Sequence, residues 1–122
     1  MTAKILVVDD EPDILALAKR ILEPEDYHII TASSAMEGLQ KAETETPNLI
    51  LLDIRMLKTD GIEACRILKK QPKTKSIPVV MFTALTQMKE MNAAKEAGCS
   101  GYLIKPFMPE SLRSEVKKHI KK

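Results

Sequence analysis

The chain has 122 residues, 44% apolar and 30% charged, a mixture that fits one globular domain with its own core and excludes a disordered or fibrous chain. Nineteen basic and 17 acidic residues leave a net charge of +2, too balanced to advertise a nucleic-acid or membrane-surface binder. With no Trp, and only Tyr27, Phe82, Tyr102 and Phe107 as aromatics, a stacking platform for single strands is excluded as well.

No apolar run approaches the roughly 18 residues of a membrane span, and the N-terminal segment lacks the pattern of a signal peptide. Cys65 and Cys99 stand far apart with no CxxC spacing. They read as reduced, buried thiols of a cytoplasmic protein. His28 and His119 lie in unrelated segments and suggest no zinc site.

In chain order, the apolar run 5–8 predicts a first strand that ends in Asp9, Asp10 and Glu11. Ile14, Leu17, Ala18 and Ile21 then keep the spacing of an amphipathic helix. A weaker run, 27–31, predicts a second strand. Ser34 and Glu37 have the form of a capping box opening a second helix, with Leu39 and Ala42 on its inner face. The run 49–52 ends in Asp53, and Ile62, Cys65 and Leu68 mark a third helix. The run 77–82 predicts a fourth strand, with Pro78 tolerated at its start and Thr83 at its end.

Residues 87–97 predict a weakly amphipathic fourth helix, stopped by Gly98. The run 102–104 ends in Lys105 and Pro106, and Leu112, Val116 and Ile120 mark a fifth helix. Three of the strand runs are nearly continuous in apolar residues, as strands are when both faces are covered. Strand and helix alternate throughout, which predicts an α/β doubly wound fold: a five-stranded parallel sheet with five helices on both faces.

Sites in an open parallel sheet form beyond the carboxyl ends of the strands. Four of the five predicted ends deliver a polar or charged side chain there: Asp9 and Asp10, Asp53, Thr83, and Lys105. Any one of the acids reads equally well as a turn former or helix cap, and Lys105 alone as a solvated lysine. Together they do not, because clustered carboxylates without a cation raise each other's pKa. Oxygen-only ligands select a hard divalent ion, and magnesium, which shares phosphate with one or two carboxylates, suits the set better than calcium. A lysine, a hydroxyl and a spare carboxylate nucleophile then suit phosphoryl transfer through an aspartyl phosphate.

Residues 7–11, 51–53, 60–61, 83–84 and 101–107 resemble, in order and spacing and over essentially the whole chain, the response-regulator receiver domain of two-component signalling. The resemblance implies a flavodoxin-like sheet of order 2-1-3-4-5. It implies Asp53 as phosphoacceptor, Asp9 and Asp10 with Asp53 and the Arg55 carbonyl as the Mg2+ site, and Lys105 as the cation that pairs with the phosphoryl group. Thr83 and Tyr102 are implied as the switch pair, and the bond from Lys105 to Pro106 as cis. A sensor histidine kinase or phosphotransfer protein is the implied donor, and the altered surface lies on helix four, strand five and helix five. Leu57 departs from a proline common at that place and loosens the expected loop conformation. Arg55 and Leu85 stand where side chains influence attack by water; neither orients one, so a long-lived phosphoryl state is expected.

Residues 1–122 are expected to form a single receiver domain, with the output in a downstream effector protein or a missing output domain. Three rivals differ in cheap observations. A magnesium-dependent phosphohydrolase would show an Asp-x-Asp pattern, but Ile54 and Arg55 follow Asp53. A flavodoxin-type cofactor binder would carry a Gly- or hydroxyl-rich loop after strand one, where this chain has acids. The cations of the last helix, Arg113, Lys117, Lys118, Lys121 and Lys122, read as a solvated face near a helix C-terminus rather than a nucleic-acid contact.

Overall fold

The computed structural model describes residues 2–56, 61–84 and 90–120. Five strands, β1 (Ala3–Val8), β2 (Tyr27–Ala32), β3 (Leu49–Asp53), β4 (Val79–Ala84) and β5 (Gly101–Lys105), form one sheet. All neighbours are parallel, and the order is β2-β1-β3-β4-β5. Five helices alternate with them: α1 (Pro12–Leu22), α2 (Ala35–Glu45), α3 (Gly61–Lys70), α4 (Met91–Glu96) and α5 (Pro109–His119). The doubly wound order predicted for the chain is the one observed.

The unbroken apolar runs follow from two cores, one on each face of the sheet. Leu6, Val8, Ile50, Leu52, Val79 and Met81 enter a core with Ile62, Cys65 and Leu68 of α3 and Met91 and Ala94 of α4. The alternate residues, Ile5, Val7, Leu49, Leu51, Val80 and Phe82, meet Ala18, Ile21 and Leu22 of α1 and Leu112 and Val116 of α5. Successive strand side chains point to opposite faces, so a strand covered on both faces has no polar position to spare. Phe82 and Phe107 stack at 5.2 Å between ring centroids in the second core.

Local signals are largely as the sequence implies, with instructive differences. The Ser34 hydroxyl accepts from the Glu37 N–H at 3.1 Å, but the Glu37 carboxylate accepts from the Ser33 N–H at 2.8 Å. The reciprocal bond is therefore displaced one residue outward, closing the entry to α2. β4 begins at Val79 rather than residue 77: Pro78, which has no N–H, lies just ahead of it and its carbonyl accepts from Ile50 at 3.0 Å. Of the stretch expected as helix four, Met91–Glu96 is helical, and residues 87–89 lie outside the described residues. Gly98 follows with φ +102°, the left-handed conformation that ends a helix.

Cys65 is buried, but Cys99, in the connection between α4 and β5, is only partly so and packs at the margin of the first core; both are free thiols. Burial pushes the Cys65 thiol up to about 11, which keeps it protonated. Among the described residues, no helix is long and apolar enough to cross a membrane.

Candidate functional site

The carboxyl ends of β1, β3, β4 and β5 form one rim. Asp53 is the last residue of β3, opposite Phe82 of β4, and the next amide, Ile54 N–H, donates to the Phe82 carbonyl at 3.0 Å. That bond carries the ladder one step past Asp53 and fixes the direction in which it leaves the sheet. Asp9 follows β1. Its N–H donates to the Ala32 carbonyl at 3.1 Å, and its Oδ1 accepts from Glu11 N–H at 2.9 Å, an Asx-type turn that leads into α1. The cap role weighed for such an acid thus holds in part: one oxygen shapes the turn and leaves the other for the site.

That other oxygen, Asp9 Oδ2, is fully buried. It lies 2.8 Å from Lys105 Nζ with no hydrogen-bond donor aligned on it. The Lys105 ammonium also stands 3.3 Å from Asp53 Oδ2 and 3.2 Å from Glu11 Oε1. Carboxylate oxygens of Asp9, Asp10, Glu11 and Asp53 all lie within 4.8 Å of one another. Three of these acids therefore share one ammonium, with Asp10 as the fourth carboxylate of the cluster.

The electrostatic consequences are legible in the acids. Burial, and then the charge of Asp9, push Asp53 up to about 6, against the opposing pull of Lys105. Burial raises Asp9 too, with Lys105 working the other way. Burial alone would lower Lys105, but Asp9, Asp53 and Glu11 together outweigh it and hold the ammonium above its ordinary value. A cluster of four carboxylates, with oxygens within 4.8 Å of one another, fits a hard divalent ion.

Thr83 is fully buried in β4 opposite Ile104, and its hydroxyl donates to the Ala84 carbonyl at 3.1 Å. Tyr102 stands on β5, 41% exposed. Lys105 closes β5, and its bond to Pro106 is cis. Arg55 N–H donates to Asp53 Oδ1 at 3.3 Å. Asp9, Asp10, Asp53, Arg55, Thr83 and Lys105 therefore lie at or beside this rim, whereas Tyr102, opposite Met81 of β4, stands near the other end of β5. Leu57 and Leu85 lie outside the described residues.

Three participants carry no role in the sequence reading. Glu11 stands in the acidic run, yet nothing in its spacing distinguishes a partner of Lys105 from a solvated helix start. Gly61, the first residue of α3, is required by close approach: a Cβ there would collide with the Asp53 carbonyl oxygen. Its N–H donates to the Ile54 carbonyl at 2.7 Å, so α3 begins against the backbone of the central acid. Glu90, which binds Arg55 at 2.9 Å, is 35 positions away, and no local signal marks it.

A doubly wound α/β domain with an acidic, lysine-bridged rim defines a class, and comparison with known proteins identifies it. The family model of the response regulator receiver domain matches residues 5–117, and the chain belongs to that family. It is 44% identical over 117 residues to the alkaline phosphatase synthesis transcriptional regulatory protein PhoP of Bacillus subtilis, covering 96% of this chain and 48% of that protein. The DNA-binding dual master transcriptional regulator RpaA of Synechocystis is 35% identical over 93% of the chain and 47% of its own length. The chain thus spans about half the length of these curated relatives.

Among solved structures, the chemotaxis protein CheY4 of Vibrio cholerae superposes with a TM-score of 0.93 at 30% identity, covering 98% of this chain and all of that one. NtrX of Brucella abortus gives 0.90 at 32% identity, covering 98% of this chain but 27% of its own. The chain is thus a receiver domain of the two-component response-regulator family.

Proposed function

We propose that Asp53 accepts a phosphoryl group from a histidine kinase or phosphotransfer protein, and that residues 1–122 act as one receiver domain. The observation that carries the reading is the buried Asp53 carboxylate 3.3 Å from Lys105 Nζ, inside a cluster of four acids. A carboxylate oxygen of Asp53 bonds to phosphorus as the bond from phosphorus to the donor's histidine nitrogen breaks; the nitrogen keeps the electron pair and takes up a proton. Lys105 pairs with the transferred oxygens as a point charge.

Asp9, Asp10, Asp53 and the Arg55 carbonyl would hold Mg2+, which, when bound, neutralises charge on the transferred group. The Thr83 hydroxyl, bonded to the Ala84 carbonyl without phosphate, turns to the phosphoryl oxygens, and Tyr102 leaves its exposed position to follow it. The partner surface on α4, β5 and α5 changes through a shift between two conformations. The setting is the cytoplasm, and the output is an effector protein or an attached domain of the kind carried by the transcriptional regulators above.

Incubation with acetyl phosphate and magnesium should add one phosphoryl group to the chain, visible by intact mass. Asp53→Asn should abolish it, and undiminished labelling of that variant would remove Asp53 from the role.

A further inference from the structure

The guanidinium of Arg55 does not face the acid cluster it adjoins. Its Nε and Nη2 both meet Glu90 Oε1 at 2.9 Å. Glu90 occupies the N-cap position of α4, yet its side chain makes no capping bond to that helix. Its carboxylate is committed instead to the loop that follows β3. The Arg55 side chain is 63% exposed and that of Glu90 only 20%, so Glu90 is the anchor and Arg55 the arm that can swing. The arm starts beside the reacting centre, since the Arg55 N–H is 3.3 Å from Asp53 Oδ1.

We propose that Glu90 is a positioning residue: it holds Arg55 away from the phosphoryl group, and phosphorylation of Asp53 competes for the same guanidinium. The inference rests on Asp53 being the acceptor. A phosphoryl group presents oxygens that suit the planar guanidinium fork, and the charged, two-point pairing is stronger than a carboxylate contact gripped through one oxygen. An ion pair this exposed is worth little, so the exchange is within reach of the phosphoryl charge. Once Arg55 leaves, the tie between the β3–α3 connection and the start of α4 is released. The signal then has a route to α4 that uses neither Thr83 nor Tyr102.

The test is a double-mutant cycle on labelling by acetyl phosphate with magnesium, and on subsequent hydrolysis. In labelling, an Asp53 oxygen bonds to phosphorus as the bond to the acetate oxygen breaks; in hydrolysis, water's oxygen replaces Asp53 and inorganic phosphate leaves. Glu90→Gln should free Arg55, raising the labelling rate and lengthening the phosphoryl half-life, each roughly two- to five-fold, the scale of an exposed pair. In an Arg55→Gln background the same change should have no effect. Equal effects in both backgrounds would reduce Glu90 to one negative charge near the site, and no effect with Arg55 present would remove the latch; either overturns the proposal. Failure of the unmodified protein to label at all would instead bring down the acceptor assignment, and with it the latch.

Discussion

At the scale of single residues, the site is held in tension. Asp53 is pushed up to about 6 first by burial and then by Asp9, so its folded pKa lies above the ordinary carboxylate value. A group of this kind stabilises the fold when protonated, and the contribution is lost as pH rises from about 4 through about 6. At neutral pH without a divalent ion, ionised Asp53 costs on the order of 3 kcal/mol. Asp53→Asn should therefore be more stable than the unmodified protein in metal-free buffer at pH 7.5, by about that amount, with the gap narrowing toward pH 4.5. Urea denaturation at the two pH values measures it, and a variant no more stable at pH 7.5 would mean that Lys105 compensates Asp53 fully. The acids and Lys105 were legible in the sequence because each ends a strand. Glu90 was not, since its role arises only where two loops meet across the rim.

At the scale of elements, the fold places the site by letting a helix touch a strand's backbone. α3 starts at Gly61 against the Asp53 carbonyl. Gly61→Ala must push that helix start away or tilt the end of β3. The expected cost is about 1 to 3 kcal/mol, the range for overpacking at a tight contact, together with a fall in labelling of Asp53 by acetyl phosphate. Loss of stability with labelling unchanged would show that α3 can retreat without moving the acid. Strand and helix existence was readable from apolar periodicity, but edges were less so. The start of β4 shifted because a proline ahead of a strand still offers its carbonyl, and the Ser34 cap shifted because Glu37 reaches one residue further back than the simplest box.

At the scale of the whole molecule, alternation of strand and helix was enough to predict a parallel sheet, whereas the order β2-β1-β3-β4-β5 came from family resemblance. Two separate cores explain why the runs looked continuous, and why only the strand ends were left for polar chemistry. Among the described residues, the rim gathers side chains of β1, β3 and β5, so binding there bears on several strands at once. Magnesium that binds the folded acid cluster alone should stabilise the domain by about 2.7 kcal/mol at a hundred times its Kd. Thermal unfolding should shift upward by several degrees in magnesium and not in sodium at equal ionic strength. Asp9→Asn should blunt the shift, and an unchanged shift in that variant would place the ion elsewhere.

The bridge from Lys105 to Glu11 closes a separation of 94 positions. The acids of β1 and β3 can be in place while β5, an outer strand of the sheet, is still undocked, but their counter-charge cannot. The acid cluster therefore has its counter-charge only in a sheet whose β5 edge is in place. On the proposed reading, a copy with β5 undocked would lack the cation that pairs with the phosphoryl group, so an intact sheet edge is a condition for labelling of Asp53.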